Sequence, residues 1–192
     1  LNFVFKNQII LASLALDMFA VLFGGAVALL PAFAKDVLAV GPEGFGALRA
    51  APAVGAFIMA WILAFRPPLA NTGKLLLGAV AGFGICTILF AVSNSFWFSL
   101  VMLAGTGFFD NISMVIRGTV VQLYTPNEMR GRVSAVNALF IGSSNELGAF
   151  ESGLAARIMG LVPSVVFGGS MTLVVVLTTW WKAPKLRDMS LG

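Results

Sequence analysis

The stretch WFSLVMLAGTGFFDNISMVIRGTVVQL, from Trp97 to Leu123, is apolar for 27 residues except for Asp110, Arg117 and a few hydroxyl and amide side chains. A helix needs about 20 predominantly apolar residues to cross the hydrocarbon core of a bilayer, and this stretch exceeds that. Ionised groups near mid-membrane cost roughly 2.5–3.5 kcal/mol or more, so they persist where they face a protein interior or a watery cavity. Asp110 and Arg117 therefore mark a helix that is membrane-embedded and has something other than lipid on one side.

Five further apolar stretches surround it. They run from Ile9 to Phe33, Gly46 to Phe65, Leu75 to Val92, Val133 to Gly160 and Val162 to Trp181. The whole chain is 59% hydrophobic and 10% charged, with a mean hydropathy of +0.96. A soluble domain carries about a quarter charged residues, so the expected class is an all-α membrane protein with six transmembrane helices. No stretch alternates polar and apolar residues at period two, which argues against a β-barrel. Short connections predict that sequence neighbours are antiparallel neighbours in space.

Basic residues give the expected orientation. With a cytoplasmic N-terminus, Lys6, Arg66, Lys74, Arg130, Arg132, Lys182, Lys185 and Arg187 lie inside, which is eight of the 12. Lys35, Arg49 and Arg157 lie outside, where snorkelling accounts for Arg49 and Arg157. Both termini are then cytoplasmic. Trp61, Trp97, Trp180 and Trp181 sit near span ends, at headgroup level. Cytoplasmic-face cations explain the net charge of +4 without a nucleic-acid partner. The lone Cys86 reads as a buried apolar residue, and a chain without histidine has no Cys/His metal site. No cofactor is expected. The start at Leu1, a few residues before a membrane helix, reads as a piece of a longer protein.

The spans group as three plus three. The first helix of each triplet carries a mid-membrane acid, Asp17 or Asp110. The second is rich in small residues, as at Ala51, Gly55, Gly148 and Gly153, which let backbones approach closely. The third is uncharged and suits lipid contact. This pattern predicts two three-helix structural repeats.

At 100° per residue Asp110 and Arg117 share a face, while Asp17 and Arg117 lie at similar depths, about 10–15 Å from the cytoplasmic ends. Either acid is a candidate partner for Arg117. Asp17, Asp110 and Glu146 are candidate proton-coupling residues, since burial disfavours their charged forms and opening to water restores them. A permanent Asp–Arg pair holding helices together is the competing role. Ser113, Asn137, Ser144 and Glu151 are candidate cavity-lining residues, the last three from one polar stripe on the fifth span.

The strongest motif runs through the fourth and fifth spans: Phe109-Asp110-Asn111-Ile112-Ser113, Arg117-Gly118, then Pro126-Asn127-Glu128-Met129-Arg130-Gly131-Arg132. The turn Pro126, Arg130, Gly131, Arg132 resembles the cytoplasmic turn between helices ten and eleven of the major facilitator superfamily. The continuation, Asn137, Phe140 to Gly148 and Phe150 to Gly153, is similar to its branch of enterobactin and drug exporters. The resemblance implies that residues 1–192 are helices seven to twelve, with an N-terminal six-helix half absent from this chain. It also implies alternating access driven by protons. The segment from Arg66 to Lys74 lacks the acid that often forms a cytoplasmic clasp in this superfamily, so the missing half must supply any such clasp.

Other classes fit less well. Without histidine there is no Ser–His intramembrane protease, and no enzyme is expected. No Pro-x-acid-x-x-base repeats point to a mitochondrial-type carrier. A six-helix homodimer and a non-transporting scaffold or receptor stay open. The expected function is secondary active efflux of a small amphipathic compound, such as a siderophore or drug, across a bacterial inner membrane. Its partners are that small-molecule substrate, protons, the lipid bilayer and the missing half.

Overall fold

A computed structural model describes residues 8–24, 27–65 and 71–190. Lys6 and Arg66, assigned above to the inner face, and the first part of the loop that follows Arg66 lie outside the described residues. Among those described, every regular element is helical. The long helices are α1 (Gln8–Phe23), α3 (Pro42–Phe65), α4 (Thr72–Ala91), α5 (Phe96–Tyr124), α6 (Arg130–Met159) and α7 (Leu161–Lys182). Short α2 (Leu30–Ala32) runs into a π-turn at Phe33–Val37, and α8 (Pro184–Arg187) follows α7.

Four of these, α3, α4, α5 and α7, are long and apolar enough to cross a membrane. α6 has the length, but Asn137, Ser144, Asn145, Glu146 and Glu151 make it polar. The first expected span is shorter than its sequence suggests. Its regular helix stops at Phe23, and the chain resumes as α2 and the π-turn. Gly24 begins the break, where helix-interior glycine costs up to about 1 kcal/mol relative to alanine.

Local chemistry sets the other boundaries. Pro42 opens α3, a position where its missing N–H is no loss. Thr125 precedes Pro126 and is extended (φ −109°, ψ 125°), as a residue before proline prefers. That ends α5, and one 3₁₀ turn at Asn127–Met129 leads into α6. Gly160 takes φ 95°, a left-handed value that separates α6 from α7 without strain.

Helix neighbours do not simply follow sequence order. The main partner of α3 is α5 rather than α4; α4 packs on α5 and α7, and α1 on α6 and α7. Small residues decide this, not loop length. A Cβ added at Gly55 would run into the Ala104 carbonyl, and one at Gly107 into the backbone of Pro52. The α3–α5 backbones thus touch through glycine on both sides. Exchanging α1 with α5, α3 with α6 and α4 with α7 carries these five contacts into one another, whereas the contact of α6 with α7 has no comparable counterpart between α3 and α4. The correspondence reaches single residues, since Gly148 on α6 abuts the backbone of Val21 and Leu22 on α1.

Three apolar clusters hold the described bundle, the smallest of them Ile10, Leu14, Val121 and Val133, which ties α1 to α5 and α6; two are larger. One joins Leu16, Leu76, Leu77, Ile116, Val120 and Leu186. The other, toward the end where α3 begins, joins Leu30, Phe33, Leu48, Phe90 and Leu103, with the Phe33 and Phe90 rings 4.9 Å apart. α4 is buried at Leu76, Leu77, Val80 and Gly84 but exposes Leu75, Ile85 and Leu89. That face is apolar and exposed. The chain after α7 folds back, so that Gly73 N–H donates to the Met189 carbonyl at 3.1 Å and Leu186 is fully buried.

Gly107→Val should destabilise the protein by about 1–3 kcal/mol through overpacking. Gly153→Ala, inside α6 and with nothing within 4 Å of the added carbon, should instead stabilise by up to about 1 kcal/mol. Thermal unfolding of both variants in detergent checks the contrast.

Candidate functional site

The most polar part of the interior forms around α1 and α5. Arg117 Nη1 pairs with a carboxylate oxygen of Asp17, and the two side chains are only 7% and 9% exposed. Both residues sit within a few turns of the same end of the bundle, about 10–15 Å from Gln8 and Tyr124 respectively, which brings them to one level. Asp17 follows buried Leu16 and lies one turn from buried Ser13 and Ala20, so α1 presents it inward. Ser13 satisfies its own hydroxyl by donating to the Ile10 carbonyl at 2.9 Å. Leu16, Ala20, Ile116 and Val120 surround the pair with hydrocarbon. Each charge needs the other there, since removing one partner of a buried pair costs about 3–5 kcal/mol.

Asp110, the alternative partner for Arg117, is placed differently. Its side chain faces a cavity of about 710 Å³ between α1, α3, α5 and α6. Glu146 and Asn145 line the same cavity from α6, Arg49 from α3, and Phe83 from α4. The volume is within the roughly 300–1,000 Å³ of small-molecule sites. Among the described residues, Arg49, Asp110 and Glu146 form no ion pair with one another. A void of about 20 Å³ separates this cavity from the buried pair; Asp17, Ser113 and Asp110 are its polar lining. Its size and three polar groups suit one water molecule. Val21, Phe83 and Asp110 line both spaces, so Asp110 stands between them.

The remaining candidates are dispersed. Ser144 is buried, one turn from the Gly148 contact with α1, so that part of the polar stripe on α6 is a helix-packing face. Glu146, on another face, opens to the cavity. Asn137 is half-buried, and its Oδ1 is enclosed without a hydrogen-bond partner. Glu151 is half-buried and outside the cavity lining. Pro126, Gly131 and Arg132 are exposed at the end of the bundle, and Arg130 Nε donates to the Thr125 carbonyl at 3.4 Å.

Arg49 was assigned to snorkelling, and its position in the cavity corrects that. It lies seven residues into α3, about 10 Å from the helix start. That depth is the signal that could have flagged it. Phe83 escaped notice because its helix reads as a lipid-facing one.

A helical bundle with four helices long and apolar enough to cross a membrane, a buried ion pair and a charged cavity has the marks of a membrane transporter. A family model, MFS_3, described as transmembrane secretion effector, matches residues 6–190. The chain belongs to that family of major facilitator superfamily transporters. Neither the curated proteins nor the solved structures contain a significant match.

Arg117→Ala should sharply reduce the yield of folded protein, by stranding Asp17. Adding Asp17→Asn should recover part of the loss, whereas adding Asp110→Asn should not. Fluorescence-detected size-exclusion chromatography of the three variants makes the comparison.

Proposed function

We propose that this chain is the C-terminal six-helix half, helices seven to twelve, of a proton-driven exporter of a small amphipathic compound such as a siderophore or drug. α1 with α2 forms the seventh helix, interrupted at Gly24, and α3 to α7 form the eighth to twelfth. An N-terminal half of matching design completes the cavity, and the two halves rock to expose it alternately to either side. The protein sits in a bacterial inner membrane with both termini cytoplasmic.

The observation that carries this reading is the charged cavity beside the buried Asp17–Arg117 pair. An acid facing water in one conformation and hydrocarbon in the other releases and takes up a proton as access alternates. Asp110 is placed for that role, with Glu146 on the opposite wall. The exchange-symmetric helix contacts support two three-helix repeats of the kind that build such transporters.

Orientation has a direct test. Cysteines introduced at the exposed Ser95 and Ser190 should label from opposite sides of the membrane, Ser95 from outside. The buried Cys86 contributes little background. Labelling of both from one side rejects the topology.

Coupling is tested in vesicles with an imposed pH gradient. Asp110→Asn in the complete protein should abolish gradient-driven export, while substrate binding at equilibrium falls much less. If Asp110→Asn, Glu146→Gln and their combination still pump against a substrate gradient, the proton site lies outside this half.

A further inference from the structure

On the side of α1 away from the cavity, a groove of about 700 Å³ runs between α1 and α7. Leu11, Ala15 and Phe19 form one wall, and Met171, Val175 and Thr178 the other. The two helices touch at one end, where a Cβ added at Gly168 would run into the Phe23 carbonyl. The groove starts there and runs to Lys182 and Ala183, beside which α8 packs on α1. Phe19, Thr178 and Lys182 are exposed, so the groove opens outward along its length. Its direction separates it from the cavity. At about 100° per residue, Phe19 and Phe23 point about 160° away from the cavity-lining Val21 between them. A second half that completes the cavity by closing over Val21 leaves this groove uncovered.

Length and polarity define the occupant. From Ala12 to Phe23 and from Met171 to Lys182 each helix rises about 16 Å, roughly half of the ~30 Å hydrocarbon core of a bilayer. The groove is one leaflet deep. Its hydroxyl groups are turned into α7, since Thr178 and Thr179 both donate to the Val175 carbonyl, at 2.9 and 2.8 Å. The walls therefore present hydrocarbon, except at the Lys182 end. There the stretch from Lys182 to Ser190 holds three cations and one acid, and that acid, Asp188, is paired with Arg187. Trp180 and Trp181, exposed beside Lys182, mark the level of the headgroups. A hydrocarbon slot one leaflet deep, positively charged at its headgroup end, complements an anionic lipid.

We propose that this groove is a binding site for an anionic phospholipid, one acyl chain lying between α1 and α7 and the phosphate at Lys182, with Lys185 adding a second positive charge. A zwitterionic lipid with the same chains matches the walls but not the mouth. The groove joins helices from the two three-helix groups, so its occupant braces them at the end where α8 also bridges α1 and α7. The site goes beyond the transport reading and does not depend on it.

The experiment titrates the complete protein, stripped of lipid in detergent, with dioleoyl phosphatidylglycerol or dioleoyl phosphatidylcholine, and counts bound lipid by native mass spectrometry. One phosphatidylglycerol should bind more tightly than any that follow, and phosphatidylcholine should bind several-fold more weakly. Lys182→Gln should weaken phosphatidylglycerol binding about fivefold, the effect of one lysine at an anionic surface, and leave phosphatidylcholine unchanged. Lys182→Arg should retain the affinity. Thr178→Phe, which fills the groove from an exposed position, should weaken both lipids about tenfold by excluding buried methylenes. Arg132→Gln, at the same end of the bundle but outside the groove, should change nothing. Size-exclusion profiles check that the variants fold, and the Lys182 pair decides the matter if Thr178→Phe does not. Equal affinity for the two lipids, or phosphatidylglycerol binding unmoved by Lys182→Gln, overturns the proposal. An equal loss with Arg132→Gln reduces it to diffuse surface attraction and also overturns it. So does a concentration-dependent dimer that Thr178→Phe dissolves, which would give the groove to a second copy of the chain.

Discussion

The structure turns on an ion pair placed where water cannot reach it. Asp17 and Arg117 belong to α1 and α5, whose main packing partners differ but whose apolar side chains meet on either side of the pair. The pair is the polar link between them. Such a pair adds little net stability, because desolvating two charges offsets most of their attraction. It does penalise misalignment: a shift of either helix strands both charges in hydrocarbon. The pair thus fixes the relative position of the two helices that separate the cavity from the apolar core.

That arrangement divides polar work between neighbouring acids. Asp17 is spent on Arg117, while Asp110, seven residues earlier on the same helix as Arg117, is left to face the cavity. Spacing alone put Asp110 and Arg117 on a common face, but a helical face is wide and its neighbours differ along its length. At the level of Arg117 the neighbour is α1; at the level of Asp110 it is open space.

The helical architecture was largely legible because membrane helices announce themselves through hydrophobic length. The α5–α6 turn was legible because Thr125-Pro126 and the basic residues after it dictate a stop and a restart. The end of α1 was not, since an apolar run through Gly24 has the same composition whether or not the helix continues. The stripe of Ser144 and Gly148 looked like a cavity wall because small polar residues suit both water and close backbone contact. Only the position of α1 distinguishes the two. Arg49 was misread for a related reason, as nearness to a span end says nothing about which way a long side chain turns.

The segment after α7 alters what its end of the bundle can tolerate. Leu186 and Met189 are core residues by burial, and Gly73 has no room for a side chain beneath the Leu186 carbonyl. Arg187 pairs with Asp188 and lies 5.5 Å from the Trp180 ring, and it holds the Asp188 carboxyl below the usual carboxylate range. The segment is therefore a strut joining α1, α4 and α7, although its length and charge give it the look of a dispensable tail. Trimming it at Lys182 to aid crystallisation, or splicing a reporter there, would open the apolar surface of Leu76 and Leu77 to water. Handles for purification belong beyond Ser190.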